Sequence, residues 1–132
     1  MRKMKLIKAL GVTAALVSIM TSTAFAAYKN WTSYETSYVD DAVTSDNYSV
    51  RYTDDDAFGV YVKDMTMWST PKAKVVNSEG ASRSSWLSLS DEEEYLYGTN
   101  NTCENNHMYY LKIKPAWNQV GEDTIKYKFS VR

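Results

Sequence analysis

The amino-acid sequence predicts an all-β protein, a small antiparallel β-sandwich of six to eight short strands. Two observations carry this prediction. From Asn47 onward, apolar and polar residues alternate with a period of two, and segments rich in Gly, Asp, Asn and Ser separate the alternating stretches. No segment has the length and spacing of a long amphipathic helix. The chain is therefore expected to bury alternate residues of short strands.

The clearest strand is the last segment, TIKYKFSVR, in which four apolar residues alternate with polar ones: Ile125, Tyr127, Phe129 and Val131. The segment HMYYLKIKP alternates in the same way, and Pro115 ends it because proline has no amide hydrogen to donate to a neighbouring strand. Only the segment AWNQVGED separates the two. The sequence therefore predicts a terminal β-hairpin.

Further strands are predicted earlier in the chain. Weak candidates lie near residues 33–39 and 65–68. The segment NYSVRYT places Tyr48, Val50 and Tyr52 on one face, which is the pattern of a half-buried strand. AFGVYVKD and KAKVV follow the same alternation, and the turn sequence NSEG precedes SSWLSLS.

One segment has two open interpretations. In SDEEEYLYG, Ser90 precedes Glu93 by three positions, as in a helical capping box, and Gly98 is a possible stop signal. This pattern predicts a single helical turn. An acidic loop is the alternative, because so short a helix is marginal without tertiary support.

The first residues predict an export leader. Four cations precede an apolar run over residues 9–20, and Ala24 and Ala26 supply the small residues that a signal peptidase reads. This run is shorter than the roughly 20 residues of a membrane-spanning helix. The sequence therefore predicts a signal peptide over residues 1–26, a single all-β domain over residues 27–132 and no transmembrane anchor after cleavage.

Removal of the leader leaves 11 Lys and Arg against 16 Asp and Glu, a net charge of −5. A disulfide framework is excluded because the chain has a single cysteine. The 11 Tyr and 4 Trp are expected to supply stability by packing, since each aromatic side chain buries about 150–250 Å².

That cysteine, Cys103, lies four positions before the only histidine, His107, in TNNTCENNHMYY. A zinc site needs three or four ligands, and a nucleophile–base pair needs a third orienting group and a pocket. The asparagines of this run favour turns. We expect neither a metal site nor a catalytic pair here, but an accessible thiol in a polar loop, where it is open to cross-linking between chains.

The acidic runs DDD (54–56) and DEEE (91–94) are interpreted as solvated turns. The alternative is a calcium site, although neither run has the spacing of a dedicated calcium loop. The sequence has no Gly-rich phosphate loop, no GxSxG and no HExxH motif. It predicts no cofactor and no enzymatic activity. The sequons NWT, NYS and NNT would accept glycans only in a eukaryotic secretory pathway.

The leader ending in STAFAAYKNW and the Tyr- and Trp-rich chain with SEGASRSSWLSL resemble small exported proteins of unknown function from Gram-positive bacteria. Some of those are grouped loosely with lactococcin-like bacteriocins, from which this chain departs in its few glycines and single histidine. The resemblance implies a secreted β-sandwich without assigned chemistry, and it transfers no functional residue.

Aromatic residues and charge together predict a binding role. Tyr and Trp rings serve well at recognition surfaces, and Trp31 and Trp117 are the Trp residues expected to be exposed. Residues 107–132 carry five cations against two anions, and the alternation places all five on the outward face of the predicted hairpin. The candidate binding residues are Tyr110, Lys112, Lys114, Trp117, Lys126 and Lys128. The expected function is that of a secreted, non-enzymatic module for an anionic cell-wall polymer or glycan, with no nucleic-acid partner.

Other interpretations stay open. The lysines can instead guard an exposed sheet edge, because charged side chains there oppose the addition of another strand. The alternative function is a secreted, bacteriocin-like or toxin effector, which the lack of a long amphipathic helix disfavours. A small hydrolase ranks last, since it needs two carboxylates about 5–9 Å apart in a cleft and the acids lie in predicted turns.

Overall fold

The computed structural model describes residues 30–53, 55–66, 70–90, 93–100, 102–116 and 123–132, so the predicted leader lies outside it. The described residues form nine β-strands: β1 (Glu35–Val39), β2 (Val43–Thr44), β3 (Ser49–Val50), β4 (Phe58–Met65), β5 (Lys72–Asn77), β6 (Leu87–Ser88), β7 (Glu94–Gly98), β8 (Met108–Lys114) and β9 (Asp123–Val131). These ranges contain no helix long and apolar enough to cross a membrane.

The strands form two antiparallel sheets. Sheet A has the order β1-β9-β4-β7, and sheet B has the order β2-β8-β5-β6, with β3 also paired to β8. The predicted all-β class is confirmed. The strand number exceeds the predicted six to eight because β2, β3 and β6 contain only two residues each, which is too few to show a period in the sequence.

The hydrophobic core lies between the two sheets. The inward residues of β9 and β8 are buried as their alternation predicts, and β4 and β5 add theirs. The fully buried members from these four strands are Ile125, Tyr127, Phe129, Val131, Leu111, Ile113, Phe58, Val60, Val62, Ala73 and Val75. Because one cluster holds the inward residues of both sheets, the outward residues of sheets A and B lie on opposite sides of the domain.

The predicted terminal hairpin is wrong. Strand β9 pairs with β1 and β4 in sheet A, whereas β8 pairs with β2, β3 and β5 in sheet B. Each of these strands has one apolar face. In a hairpin the apolar faces of β8 and β9 would lie side by side in one sheet. In separate sheets these two apolar faces pack against each other across the core.

Residues 94–98 form strand β7, so neither the predicted helical turn nor the loop alternative is correct for them, and Asp91 and Glu92 lie outside the described residues. Glu93 has a φ of 55°, and its amide donates to the carbonyl of Val62 at 2.6 Å, which starts the pairing of β7 with β4. The alternation in YLY then directs Leu96 to the core. This period-two signal decides the structure because β4 supplies the pairing partner that an isolated helical turn lacks.

The segment NYSVRYT keeps its predicted period but buries the opposite face. Ser49 and Arg51 are buried, whereas Tyr48 and Tyr52 are 51% and 64% exposed. The buried polar groups are bonded. Ser49 Oγ accepts the amide hydrogen of Val131 at 2.9 Å, which joins sheet B to sheet A. Hydrogen bonds of this kind remove the penalty for burying polar groups, and the tyrosines remain outside.

The Arg51 guanidinium connects three loops. It donates to the carbonyls of Arg132 at 3.1 Å and Asp55 at 3.0 Å and to the carbonyl of Cys103, and it pairs with the Asp56 carboxylate at 3.2 Å. Asp55 in turn pairs with the Arg132 side chain at 2.8 Å. Two carboxylates of the DDD turn thus neutralise arginines and are not merely solvated; Asp54 lies outside the described residues.

The thiol of Cys103 is buried, contrary to the predicted accessible loop. Its residue is 6% exposed and belongs to the core cluster. Besides the bond from Arg51, the hydroxyl of buried Tyr109 accepts the amide hydrogen of Glu104 at 2.6 Å, which folds the polar loop onto the core. Burial raises the pKa of the Cys103 thiol to about 11, although the neighbouring Arg51 and Arg83 oppose the shift.

Candidate binding surfaces

Four lysines meet on the outer face of sheet B. Lys72 of β5 lies directly opposite Lys114 of β8, and Lys74 lies opposite Lys112. Residues at such paired positions have Cβ atoms about 4.5–5.5 Å apart. We call these four residues, together with Trp86, the lysine face.

Trp86 lies between two of these lysines. The ammonium nitrogens of Lys74 and Lys114 are 4.5 and 4.4 Å from the centroid of the Trp86 ring, within the range of a cation–π interaction. Tyr110 is on the same strand face as Lys112, and its ring centroid is 6.2 Å from that of the exposed Tyr48. Aromatic rings thus border the cations on this surface.

In the part of the chain that the structure describes, the lysine face has no acidic partner. Among the described residues, no carboxylate lies within 4.0 Å of its four ammonium groups. The ion pairs found there involve Arg51, Arg132 and His107 instead. Two like-charge pairs therefore stand on adjacent strands without a local counterion in this part of the chain.

The edge-guard interpretation of the lysines is wrong. Strand β8 lies between β2 and β5, and β9 lies between β1 and β4. Both strands are thus internal to their sheets, and their backbones are already paired on both sides. A lysine there protects no free edge, so the charge of β8 and β9 needs another explanation.

A second surface, on the outer face of sheet A, consists of aromatic rings. Ring centroids are 4.5 Å apart for Tyr61 and Tyr95, 5.6 Å for Trp31 and Tyr95, 6.3 Å for Tyr34 and Tyr61, and 6.5 Å for Tyr95 and Tyr97. We call these five residues the aromatic face. They are contiguous because the pairing of β4 with β7 places Tyr61 opposite Tyr95.

Gly59 allows Trp31 to join this surface. It lies opposite Tyr97, and a Cβ atom at its position would approach Trp31 Cη2 to 3.0 Å. Because glycine has no side chain, the Trp31 ring rests against the strand itself. An edge-on contact with Tyr95 then joins it to the other rings.

Lys128 of β9 lies at the centre of the aromatic face. Its ammonium nitrogen is 5.2, 5.4 and 5.6 Å from the ring centroids of Tyr34, Trp31 and Tyr61. Lys126 is 5.8 Å from the Tyr34 ring. At these distances the cation–π attraction favours side-chain conformations of both lysines that keep the ammonium groups near the rings.

Two hydroxyl groups of the aromatic face, those of Tyr34 and Tyr97, have a raised pKa and stay protonated. Burial raises the pKa of Tyr97, and the neighbouring Tyr95 adds to the shift. Burial also raises the pKa of Tyr34, with a further contribution from Tyr61. Protonated phenols can both donate and accept hydrogen bonds, which suits them to a polar ligand.

The candidate residues from the sequence are divided between the two surfaces. Tyr110, Lys112 and Lys114 belong to sheet B, whereas Lys126 and Lys128 belong to sheet A. The predicted single cationic face is therefore wrong. Trp117 lies outside the described residues.

Sequence reasoning missed the lysines of β5. Lys72 and Lys74 form the motif KAK, which has the same spacing as KIK in β8 and KYK in β9. The repeated Lys-x-Lys pattern was the available signal, since residues i and i+2 share one face of a strand.

A cleft of about 430 Å³ lies beside Tyr109, and its lining includes Glu79, Glu104 and His107. Glu104 contacts His107 at 3.5 Å, with the two side chains 73% and 60% exposed. Catalytic acids and bases usually work in desolvated surroundings, which this pair lacks. Across the described residues, no three His, Cys, Asp or Glu side chains are grouped to hold a metal ion.

The chain matches no known protein-family profile, no curated protein and no solved structure.

Proposed function

We propose that this protein is an exported, non-enzymatic module that binds an anionic polymer of the cell envelope through its lysine face. The observation that carries the proposal is the double opposition of Lys72 to Lys114 and of Lys74 to Lys112 on the central strands of sheet B. Like charges directly opposite each other destabilise a sheet. Proteins commonly carry such a cost where a function requires it.

The spacing of the charges suits a partner with repeated negative groups. Neighbouring strands are about 4.8 Å apart, and alternate residues of a strand are about 6.7 Å apart. The backbone positions of the four lysines therefore lie at the corners of a rectangle of roughly 5 by 7 Å. One monovalent anion would leave most of that charge unneutralised. A polymer with closely spaced phosphates or carboxylates can pair with several ammonium groups at once.

Trp86 supports this role by ordering the cations. Long lysine side chains lose rotamer entropy when they bind, at a cost of about 0.5–1.5 kcal/mol for each immobilised chain. The contacts of Lys74 and Lys114 with the Trp86 ring restrict these two side chains before the polymer arrives. Preorganisation of this kind improves affinity without an additional contact.

The extracellular location belongs to the proposal and rests on the leader predicted over residues 1–26 and on the resemblance to exported Gram-positive proteins. A protein outside such a cell meets anionic wall polymers at high local concentration. The predicted net charge of −5 for the remaining chain makes a local cationic patch more selective, because the rest of the surface repels a polyanion.

Titration calorimetry with poly(glycerol phosphate) tests the proposal. We expect binding at low ionic strength that weakens as added salt shortens the Debye length from about 10 Å at 0.1 M to about 3 Å at 1 M. The double variant Lys72→Glu with Lys112→Glu should abolish this binding. It leaves both Trp86 contacts in place, because Lys74 and Lys114 are unchanged.

The matched control is Lys126→Glu with Lys128→Glu, which makes the same change in net charge on the opposite side of the domain. We expect this control to keep most of the affinity for poly(glycerol phosphate). Equal losses in the two variants would show that only net charge matters, and wild-type binding by the sheet B variant would refute the proposed surface.

A further inference from the structure

The aromatic face is a second surface whose chemistry differs from that of the lysine face. Tyr34 and Tyr95 are 42% and 37% exposed, and their rings are joined through Tyr61. Contiguous exposed aromatic surface on a soluble domain usually marks an interaction site. The lysine face does not use these residues, since the two surfaces lie on opposite sides of the core.

The composition of the aromatic face indicates a polar ligand with flat apolar faces. All five members are Trp or Tyr. Such rings combine an apolar face with a hydrogen-bonding edge. A sugar ring is complementary to both, because its C–H groups form an apolar face and its hydroxyls lie at the rim.

The charge at the centre of the surface indicates that this ligand is anionic. The Lys128 ammonium lies within 5.6 Å of three ring centroids, and no carboxylate of the described residues lies within 4.0 Å of it. A ligand that covers the rings also removes water from this cation. Desolvating an ammonium group without a partner is costly, so the ligand must bring a negative group to that point.

We infer that the aromatic face binds an acidic saccharide unit, whose sugar ring packs on the Tyr95 side of the cluster and whose carboxylate, sulfate or phosphate pairs with Lys128. Lys126, 5.8 Å from the Tyr34 ring, provides a second cation at the rim. Unlike the lysine face, this site reads the sugar as well as the charge. It does not depend on the function proposed for the lysine face.

Two other occupants are less compatible with the geometry. A nucleobase stacks on a broad, parallel ring surface, whereas the rings of Trp31 and Tyr61 are inclined at 67° and 52° to that of Tyr95 and share no plane with it. A second copy of the chain would bring a second Lys128 against the first under two-fold symmetry, with like charges opposed. Both occupants are nevertheless outcomes that the experiment distinguishes.

The test uses four probes with the purified protein, and intrinsic fluorescence as the readout. Oligogalacturonate supplies sugar with carboxylate, a neutral cello-oligosaccharide supplies sugar alone, poly-L-glutamate supplies carboxylate alone, and oligodeoxythymidylate supplies bases with phosphate. We expect oligogalacturonate to bind, and the neutral sugar to bind at least about tenfold more weakly.

Two variants locate the site. Tyr95→Leu removes the central ring but keeps an apolar strand residue, and Lys128→Gln removes the charge but keeps a polar side chain. Each should weaken oligogalacturonate binding about tenfold or more. Tyr52→Ala is the control, because Tyr52 is 64% exposed and its ring belongs to neither surface. Thermal unfolding checks that each variant is folded. If Tyr95→Leu does not fold, Lys128→Gln still tests the site.

The outcomes separate this inference from the function proposed above. Carboxylates can also pair with the lysine face, so the decisive measurements use Lys72→Glu with Lys112→Glu as the background. Oligogalacturonate should still bind to that variant, and adding Tyr95→Leu or Lys128→Gln should weaken the remaining binding about tenfold, whatever the effect on poly(glycerol phosphate). Three results would overturn the inference. The first is the absence of oligogalacturonate binding, and the second is equally tight binding of the neutral sugar. The third is binding of poly-L-glutamate or oligodeoxythymidylate at the aromatic face, recognised because Tyr95→Leu abolishes it and the lysine-face variant does not. Concentration-dependent dimerisation lost in Tyr95→Leu would assign the surface to self-association instead.

Discussion

Lys74 of β5 lies directly opposite Lys112 of β8 on the outer face of sheet B, and neither strand is at an edge. Interior strands usually place complementary or neutral side chains at such positions, because like charges there oppose strand pairing. The same arrangement recurs one step along the ladder, where Lys72 is opposite Lys114. The stability of this sheet therefore depends on how these four charges are arranged.

Lys72→Glu with Lys112→Glu should make the domain more stable while removing polymer binding. In this diagonal variant each remaining lysine faces a glutamate, so two repulsive pairs become two attractive ones. Cross-strand opposite-charge pairs are each worth about 0.2–1 kcal/mol. We expect a gain of about 1 kcal/mol in the free energy of unfolding at low salt, measured by urea titration, and a smaller gain at high salt.

The control for this prediction is Lys72→Glu with Lys114→Glu. It changes the net charge by the same amount, but it leaves a glutamate opposite a glutamate and Lys74 opposite Lys112. No gain in stability is expected. Because this control also removes the contact of Lys114 with Trp86, the decisive comparison is with the wild type. A diagonal variant no more stable than the wild type would show that the opposed lysines are not a source of strain.

The fold class was predictable because alternation in β8, β9 and β4 is strong and each strand has one strictly apolar face. The pairing of strands was not. A period of two shows which side of β9 is buried, but it does not identify the neighbours of β9, so the hairpin with β8 was an error of topology. Two-residue strands such as β3 leave no period to detect.

The candidate site was predictable only in part, for a related reason. The lysines of KIK and KYK were found because their strands were found, and they were grouped wrongly because the strand order was unknown. Arg51 shows a second limit, since alternation cannot indicate that a charged face points inward. Its burial depends on carbonyls from Cys103 and Arg132, which lie 52 and 81 positions away in the chain.

Cys103 should react slowly with thiol reagents in the native protein and rapidly after unfolding, because the residue is 6% exposed and burial disfavours the thiolate. Cys103→Ser should destabilise the domain by about 1–3 kcal/mol, since a hydroxyl then replaces a thiol in the core. Timed labelling with a chromogenic disulfide, with and without urea, measures the first effect. Fast labelling of the native protein would place the loop in solvent.

The raised pKa of Cys103 also predicts a pH dependence of stability. The folded protein favours the protonated thiol, so this contribution is complete below pH 9.0, the ordinary pKa, and is lost as the pH rises towards 11. The loss is on the order of 2 kcal/mol. Cys103→Ala should lack this component, and the difference between the two unfolding profiles over that window isolates it from lysine and tyrosine titration.

Arg51→Met should destabilise the domain by about 3 kcal/mol, because it leaves buried carbonyl groups without the charged donor that bonds them. Asp56 contributes little to this cost, since its side chain is 66% exposed and can be hydrated. Arg51→Lys should fall between the wild type and Arg51→Met, because an ammonium group cannot reach all of the acceptors. Equal stability of the three proteins in urea would contradict the proposed anchor.

Glycine-to-alanine substitutions at two positions should separate folding from ligand binding. At Gly98 a new Cβ would lie 2.5–2.6 Å from ring atoms of Phe58, a fully buried residue that cannot move without disturbing the core. Gly98→Ala should therefore lower the free energy of unfolding by about 1–3 kcal/mol, measured by urea titration.

At Gly59 the nearest atom is the outer end of the half-exposed Trp31 ring, at 3.0 Å, and a small rotation of that ring relieves the contact. Gly59→Ala should change stability by less than about 1 kcal/mol, because alanine is also the better strand residue. The displaced ring should nevertheless shift the Trp fluorescence and weaken oligogalacturonate binding, because Trp31 is one of the five rings of the aromatic face. Retained affinity in Gly59→Ala together with a shifted emission spectrum would show that Trp31 does not contribute to the saccharide site.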